Sequence, residues 1–208
     1  MPIKNLTSFL IAAAVLSFPL GATATVLTGS ADPLLAGATT ITFSEVSLGT
    51  YDPLVIGNAT FDAVGVGSLR VENNPCPELC TPVTGPVLAN QDIDSSGIDY
   101  DIIFGTSVTA VGLFAAAVNP PDILLSAYDS LDVFLGSTTI PATCISDCSF
   151  HFGGLAFSDI KRLRVTTTDY MIVDNVMFTN NVPEPASLAL MGLGLAGLGF
   201  TRRKAKML

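Results

Sequence analysis

The chain has 208 residues, of which 49% are hydrophobic, and its 18 acidic and 9 basic side chains give a net charge of −9. A surplus of carboxylates repels the phosphate backbone, so this composition argues against nucleic acid as a partner. The length allows one domain with a sizeable core and is short for two.

The first 24 residues predict a secretory signal peptide. Lys4 is followed by an apolar segment over residues 6–16, a helix-breaking Pro19 and small side chains at residues 22–24. This order of a cationic start, a short hydrophobic helix and small residues is what signal peptidase requires, and we expect cleavage after Ala24. A retained membrane helix is the alternative, but no stop-transfer charges follow.

Residues 25–182 form the predicted exported domain. They contain 17 acidic and 4 basic residues, a net charge of −13. A field of this sign suits a soluble extracellular protein or a protein that collects divalent cations.

Short segments rich in Val, Ile, Thr, Phe and Tyr recur along this domain between turn-forming residues. Because no sustained helical period interrupts them, they predict an all-β fold, an antiparallel β-sandwich or jelly roll. In chain order the segments are residues 40–46, 59–71, 98–104, 107–118, 122–129, 131–140, 160–168 and 170–178.

Three local features refine this prediction. A hairpin is expected to turn at residues 130–131, and strand alternation directs Leu163 and Val165 into the core. Residues 72–97 contain four prolines. We therefore expect them to form the longest irregular insertion, a kind of loop that often carries binding residues.

The four cysteines occur as two pairs with the same spacing. In an exported chain an even number favours disulfides, and three pairings exist. We favour Cys76–Cys80 and Cys144–Cys148, because each pair brackets a predicted turn. Zinc binding is the alternative, although zinc sites more often have a two-residue gap between cysteines.

Catalytic patterns are scarce in the sequence. It contains one histidine, His151, and no Gly-x-Ser-x-Gly elbow, zinc-binding His pair or phosphate loop. His151 is expected on a strand surface, and Asp99 and Asp101 are expected to be solvated acids of an edge strand. The sequence thus predicts a protein that is not an enzyme, with polysaccharide hydrolysis as the least favoured alternative.

One acidic stretch imitates the start of a calcium-binding loop. Asp92, Asp94 and Ser96 occupy its first, third and fifth positions, and Gly97 occupies the sixth. The twelfth position holds Ile103 in place of the bidentate Glu. We therefore consider this loop the weaker of two candidate metal sites.

The end of the chain has three parts in a fixed order. Pro183, Glu184 and Pro185 precede fifteen uncharged residues, 186–200, which predict a membrane helix. Such a helix is about 22 Å long, short of the roughly 30 Å hydrocarbon layer. Snorkelling side chains and local thinning of the bilayer close this gap.

The basic tail, residues 201–208, sets the orientation of that helix. Arg202, Arg203 and Lys204 should remain in the cytoplasm, which leaves the domain on the outside. This orientation agrees with the predicted signal peptide.

This tripartite end, from residue 183 to about residue 204, resembles the PEP-CTERM sorting signal of Gram-negative bacteria, which the membrane protease exosortase recognises. The resemblance implies processing near Pro183, Glu184 and Pro185, after a transient stay in the inner membrane. It also implies export to the cell envelope, outer surface or extracellular matrix of an organism that makes exopolysaccharide. A plain membrane anchor is the alternative, but it gives no reason for the tripeptide.

The domain itself is similar to jelly-roll modules of the carbohydrate-binding kind, in residues 41–49 and 170–178. In several such modules the first and last strands share a structural calcium ion. The resemblance implies that Glu45 and Asp174 hold it here, while Ser44 stands where the related modules often have a carboxylate. Calcium takes six to eight oxygen ligands, so backbone carbonyls would complete the site.

These observations predict a non-catalytic binding module associated with extracellular polysaccharide. A structural, self-associating surface protein without sugar specificity is the alternative, in which the acidic surface serves solubility. Sugars usually stack on aromatic faces, and the chain has no tryptophan. The phenol-bearing candidates are Tyr51, Tyr100, Tyr128 and Tyr170.

Overall fold

A computed structural model describes residues 25–75, 83, 85–90, 97–117, 122–141 and 149–180. These residues form antiparallel strands, with one short 3-10 turn at Pro33–Leu35. The predicted all-β, antiparallel class is confirmed. The predicted signal-peptide helix and the membrane helix over residues 186–200 lie outside the described residues. Within them, no helix has the length and apolar character needed to cross a bilayer.

The strands differ greatly in length, and two of them, β8 and β11, are far longer than the rest. In chain order the strands of the described ranges are β1 (Thr25–Val26), β2 (Thr39–Ile41), β3 (Gly49–Tyr51), β4 (Leu54–Ile56), β5 (Ala59–Ala63), β6 (Leu69–Asn73), β7 (Pro86–Ala89), β8 (Tyr100–Ala117), β9 (Ile123–Tyr128), β10 (Phe134–Ile140), β11 (His151–Thr166) and β12 (Met171–Thr179).

β8 and β11 pair with each other and divide the sheet into two layers. The second half of β8 and the first half of β11 belong to the layer that also contains β12, β7, β6, β3, β2 and β1. We call it the β12 layer. The other halves of the two long strands join β4, β5, β9 and β10 in the β9 layer. The ladder shifts register between Ala156 and Arg162, where β11 passes from one layer to the other.

The two layers pack face to face around a common core. The ring of Phe104 in the β9 layer lies 5.2 Å from that of Phe178 in the β12 layer. A side chain at Gly153 in the β12 layer would collide with Ile140 in the β9 layer. Gly153 therefore permits a close approach that no larger residue allows.

The predicted segments 98–104 and 107–118 are joined in one continuous strand, β8, which begins at Tyr100 and ends at Ala117. Asn58 holds the residues between the two segments. Its side-chain oxygen accepts from the Thr106 N–H at 2.8 Å, and its side-chain nitrogen donates to the Thr106 carbonyl at 3.0 Å. The amide group thus replaces a neighbouring strand at this point, and the chain continues without a turn.

The described residues of the predicted insertion 72–97 are less irregular than predicted. They contain the end of β6 and all of β7, which pairs with β6 on one side and with β12 on the other. Pro86 is the first residue of β7, a position where a strand tolerates proline. Val87 and Leu88 are buried, and this burial compensates for the unfavourable local composition.

The predicted hairpin and the predicted core residues are confirmed. β9 and β10 pair across a turn in which the Asp129 N–H donates to the Val133 carbonyl at 3.0 Å. Leu163 and Val165 are fully buried.

Asn90 joins three segments at one end of the domain and is fully buried. Its side-chain oxygen accepts from the N–H of Met171 at 2.7 Å, and its amide nitrogen donates to the carbonyls of Ile98 and Asp169 at 3.1 and 3.2 Å. The same segments meet so closely that a side chain at Gly97 would collide with the Asp169 backbone. Gly97 thus has a packing role independent of any metal loop.

We predict that Asn90→Asp lowers the free energy of unfolding. The carboxylate keeps the shape of the amide but loses its donor, so two buried carbonyls lose a partner, at a cost of roughly 1–3 kcal/mol each. Urea denaturation measures the loss, and Asn180→Asp, at an exposed position, is the matched control. Equal midpoints for the two variants would contradict the role of Asn90.

Candidate functional site

The structure brings Glu45 and Asp174 together, and we call them the carboxylate pair. β2 pairs with β12 so that Ile41 lies opposite Val176. Because the strands are antiparallel, the chain that continues beyond Ile41 passes along Asp174. Glu45 lies on this continuing part of the chain, and its charge acts on the Asp174 carboxyl.

Both members of the pair lie next to an unusual backbone conformation. Phe43, which is fully buried, has φ 57° and Asn175 has φ 50°. The ladder between β12 and β8 shifts register immediately after Asp174, which is the sign of a bulge. Bulges redirect side chains and recur near functional sites, and a positive φ is rare for a residue as bulky as Phe.

Glu45 is exposed, and neighbours from its own turn hold it in place. Its Oε1 accepts from the N–H of Thr42 at 3.2 Å and from the Thr42 hydroxyl at 3.4 Å. The Thr42 and Ser44 hydroxyls are 2.6 Å apart. Carboxylate and hydroxyl oxygens are thereby concentrated in one turn.

Asp174 is buried, with only 1% of its surface exposed, and its Oδ1 has no hydrogen-bond partner. Burial raises the pKa of Asp174 to about 7; a hydrogen bond from the Asn175 backbone opposes the rise, and the charge of Glu45 adds to it. An ionised carboxylate is therefore poorly solvated at this position. A cation placed between the two carboxylates would remove this penalty.

The donor set at the carboxylate pair consists of oxygen atoms, which suits calcium and does not suit zinc. In the part of the chain that the structure describes, no group of three or more His, Cys, Asp or Glu side chains is placed to hold a metal. A calcium ion here would need backbone carbonyls and the hydroxyls of Thr42 or Ser44 as further ligands. The alternative loop residues Asp92, Asp94 and Ser96 lie outside the described residues.

A second candidate site lies on the outer side of the β9 layer, and the sequence did not predict it. Tyr128, Phe134 and Arg162 occupy adjacent strands, with Phe134 and Arg162 each opposite Tyr128. The rings of Tyr128 and Phe134 are 5.7 Å apart at an angle of 65°, and the Arg162 guanidinium lies 3.9 Å from the Tyr128 ring centre. We call these three residues, together with Asp132, the aromatic face.

An ionic network holds the aromatic face in position. Asp101 accepts from Arg164 at 2.8 Å through both of its oxygens, and from Arg162 at 3.2 Å. Arg162 also bonds Asp132, whose backbone has φ 63°. The hydrogen bond to Asp101 raises the pKa of Arg164 above its ordinary value.

The expectation that Asp101 is a solvated acid of an edge strand is wrong. β8 lies between β5 and β11 in this layer, and Asp101 is buried. Strand alternation alone did not indicate that two arginines on β11 face this carboxylate. Asp99, at the start of the strand, accepts from the Thr167 N–H at 3.2 Å.

The structure distinguishes between the four tyrosines. Tyr100 is buried in the core, with no hydrogen-bond partner for its hydroxyl, so it is unable to contact a large ligand. Tyr51 donates to the Ser47 carbonyl at 2.6 Å, and Tyr170 donates to Glu72. Tyr128 is half-buried and is the phenol that stands beside the exposed ring of Phe134.

His151 begins β11 and is half-buried. Its Nε2 is 3.1 Å from the Ser149 hydroxyl. This position on a strand agrees with the expectation that His151 is a strand residue.

Several predicted residues lie outside the described part of the chain, and the predictions made for them stay predictions. They are the four cysteines, Cys76, Cys80, Cys144 and Cys148, the sorting tripeptide Pro183, Glu184 and Pro185, and the basic residues Arg202, Arg203 and Lys204.

We predict that Asp174→Asn flattens the pH dependence of stability in calcium-free buffer. Because the folded-state pKa lies above the unfolded one, the folded protein keeps its proton between about pH 4 and 7 while the unfolded chain loses it. Native stability should therefore fall as the pH rises through this window. The variant should gain on the order of 1–3 kcal/mol relative to the native protein at pH 8, since one pKa unit is worth about 1.4 kcal/mol.

Chemical denaturation at pH 5 and pH 8 measures this difference. Asp62→Asn is the control, because Asp62 is half-buried on another strand. If the free energy of unfolding changed equally between pH 5 and pH 8 in the native protein and in Asp174→Asn, the effect of burial on the pKa of Asp174 would be contradicted.

Several solved structures are similar to this chain, among them the following three. The K2 cleaved adhesin domain of Lys-gingipain is 14% identical, covers 68% of this chain and 99% of its own, and has a TM-score of 0.47. The K1 domain of the same protein from Porphyromonas gingivalis W83 is 12% identical over 66% of this chain and 100% of its own, with a TM-score of 0.43. CsCBM6-3 from Clostridium stercorarium, in complex with cellobiose, is 15% identical over 69% of this chain and 94% of its own, with a TM-score of 0.37. These likenesses assign no function to the chain.

No curated protein sequence matches the chain. Its end, however, matches a family motif, and the match covers the predicted tripeptide, the apolar segment and the basic cluster. Residues 181–204 are a PEP-CTERM protein-sorting motif, which identifies the chain as an exported protein that is transiently anchored at the membrane and targeted to exosortase.

Proposed function

We propose that the protein is an exosortase-processed component of the surface or extracellular matrix of a Gram-negative bacterium, and that its domain is a non-catalytic module for extracellular polysaccharide. The observation that carries this proposal is the aromatic face. Phe134 exposes 55% of its surface beside the Tyr128 ring. Exposed aromatic rings are costly in water and are typical of recognition surfaces.

The chemistry of the aromatic face suits a sugar chain. Sugar rings have apolar C–H faces and a rim of hydroxyl groups, so they require an apolar platform with hydrogen-bonding groups at its edge. Phe134 offers the platform, while Arg162 and Asp132 offer a donor and an acceptor at its edge. Arg162 is already held by Asp101, Asp132 and the Tyr128 ring, so little side-chain entropy is lost on binding.

The same network supports a role without catalysis. Hydrolysis of a glycosidic bond usually needs one carboxyl group that donates a proton and another that acts as base or nucleophile. On this face Asp101 is occupied by Arg162 and Arg164, and Asp132 by Arg162. Asp101 therefore serves to position the arginines. Asp132 bonds Arg162 through Oδ1 and its side chain is 73% exposed, so it can also accept from a sugar hydroxyl.

We propose in addition that calcium binds at the carboxylate pair and stabilises the domain. The unsatisfied Oδ1 of Asp174 and the nearby charge of Glu45 support it. When bound, the ion would neutralise two carboxylates that otherwise repel each other. Glu45 and Asp174 would hold it between the turn that follows β2 and the bulge in β12.

We predict that Phe134→Ala weakens binding to exopolysaccharide extracted from the producing cells. Loss of the exposed ring should reduce affinity about tenfold, which corresponds to about 1.4 kcal/mol. Affinity electrophoresis in gels containing the polysaccharide measures the change. Leu48→Ala, which removes an apolar side chain of similar exposure in another part of the domain, is the matched control.

An unchanged mobility shift in Phe134→Ala would contradict the proposed role of the aromatic face. If the native protein bound no polysaccharide and sedimented as an oligomer, the self-associating alternative would replace the proposal. β10 supports that alternative as an edge of the described sheet, because its outer backbone groups can pair with another strand.

We predict that calcium raises the melting temperature of the native protein. An ion that binds the folded state alone adds RT ln(1 + [Ca]/Kd), about 2.7 kcal/mol at a hundredfold excess over Kd. The double variant Glu45→Ala, Asp174→Ala should lose most of this gain. An equal response in both proteins would reject the site, and loss of the response in Asp92→Ala, Asp94→Ala would assign the ion to that loop.

A further inference from the structure

The turn between β9 and β10 exposes apolar side chains to solvent. Leu131 exposes 82% and Val133 55% of its surface. Tight turns normally carry polar residues, because water solvates them at no cost. Two exposed hydrophobic residues in one tight turn indicate a contact with an apolar partner.

This turn is held rigidly. Asp129 accepts from the N–H groups of Leu131 and Val133 through one oxygen, at 2.8 Å each. The Ser130 hydroxyl donates to Asp159 on β11 at 2.8 Å. The apolar side chains are thus fixed in an outward position, which lowers the entropy lost when they bind.

The chain leaves the domain at the same end. The hydroxyl of Thr109 lies 3.3 Å from the carbonyl of Thr179, the last residue of β12. Two residues earlier, Ser107 bonds Asp159, which in turn holds the β9–β10 turn. β9 and β12 lie in different layers, and β11 and β8 connect them.

Further exposed apolar residues surround the exit. The hydroxyl of Thr179 donates to the carbonyl of Leu34 at 3.1 Å, and the Leu34 side chain exposes 45% of its surface. Val26 exposes 52% and pairs with Leu155 on β11. We call this region, formed by Val26, Leu34, Leu131, Val133 and the exit at Thr179, the exit end.

The carboxylates at the exit end are already engaged. Asp129 accepts from two backbone N–H groups, Asp132 bonds Arg162, and Asp159 accepts from Ser130. Asp32 accepts from the Leu34 N–H at 3.0 Å. These protein donors partly replace water around the acids, which lowers the cost of bringing them near an apolar phase.

We infer that the exit end rests on the lipid surface while the protein is anchored by its sorting motif. Six residues, 180–185, separate Thr179 from the apolar run that begins at Ala186. A fully extended chain from Thr179 to Ala186 spans at most about 25 Å, so the anchored domain must keep its exit end close to the bilayer. Leu131, Val133, Leu34 and Val26 then meet the interface, and processing by exosortase frees this surface.

The chain has no tryptophan, so one introduced tryptophan reports on its own position. We would compare Leu131→Trp with Val66→Trp in the chain that retains residues 183–208, reconstituted into phosphatidylcholine vesicles that contain a brominated lipid. Val66 is 97% exposed and lies two residues after Val64. The Val64 N–H donates to the Asp99 carbonyl, at the opposite end of the β9 layer. Val66 is therefore the matched control.

Leu131→Trp should show blue-shifted emission and lose most of its fluorescence to the brominated lipid, while Val66→Trp should be unaffected and remain open to aqueous acrylamide. Equal behaviour of the two probes would overturn the inference. A blue shift that grows with protein concentration and is not quenched by bromine would also overturn the inference. It would assign the exit end to contacts between copies of the protein. Val133→Trp repeats the test at a second position, so the result does not depend on the folding of one variant.

Discussion

β8 and β11 lie side by side through both layers, from Val165 opposite Tyr100 to His151 opposite Ala115. Every other part of the domain depends on this pairing, because each layer is built outward from one half of it. The register shift between Ala156 and Arg162 lets the two strands pass from one layer to the other. The residues at that crossing also contact the β9–β10 turn, so the core and the exposed surfaces share one framework.

The two candidate sites treat buried carboxylates in opposite ways. Asp101 is surrounded by two guanidinium groups and needs nothing further. Asp174 has an acceptor oxygen without a partner and a second carboxylate nearby. A ligand is more to be expected at the buried acid that lacks a hydrogen-bond partner, because the ligand can supply the missing interaction.

The all-β class, the β9–β10 hairpin and the burial of Leu163 and Val165 followed from the sequence, because alternation and turn residues are local signals. The continuity of β8 did not, since it depends on Asn58, more than forty residues away in the chain. β7 was missed because its proline and short length conceal three buried residues, Val87, Leu88 and Ala89, that only tertiary pairing explains.

The juxtaposition of Glu45 and Asp174 was expected from a family resemblance, and the structure supplies its backbone basis in the positive φ of Phe43 and Asn175. The aromatic face was not expected. Phe134 sits in an ordinary alternating segment, and nothing local indicates that its ring remains outside. The exposure of a strand residue depends on which layer covers it, and that information is absent from the segment itself.

β12 connects the domain to its tail, and this connection has a mechanical consequence. The strand is hydrogen-bonded to β8 along one edge and to β7 and β2 along the other. A pull on Asn180 therefore acts along the strand and loads many backbone hydrogen bonds in shear, so they resist together instead of breaking one after another. The domain is thus attached to its tail through a strand that can bear tension while the enzyme works on the sorting motif.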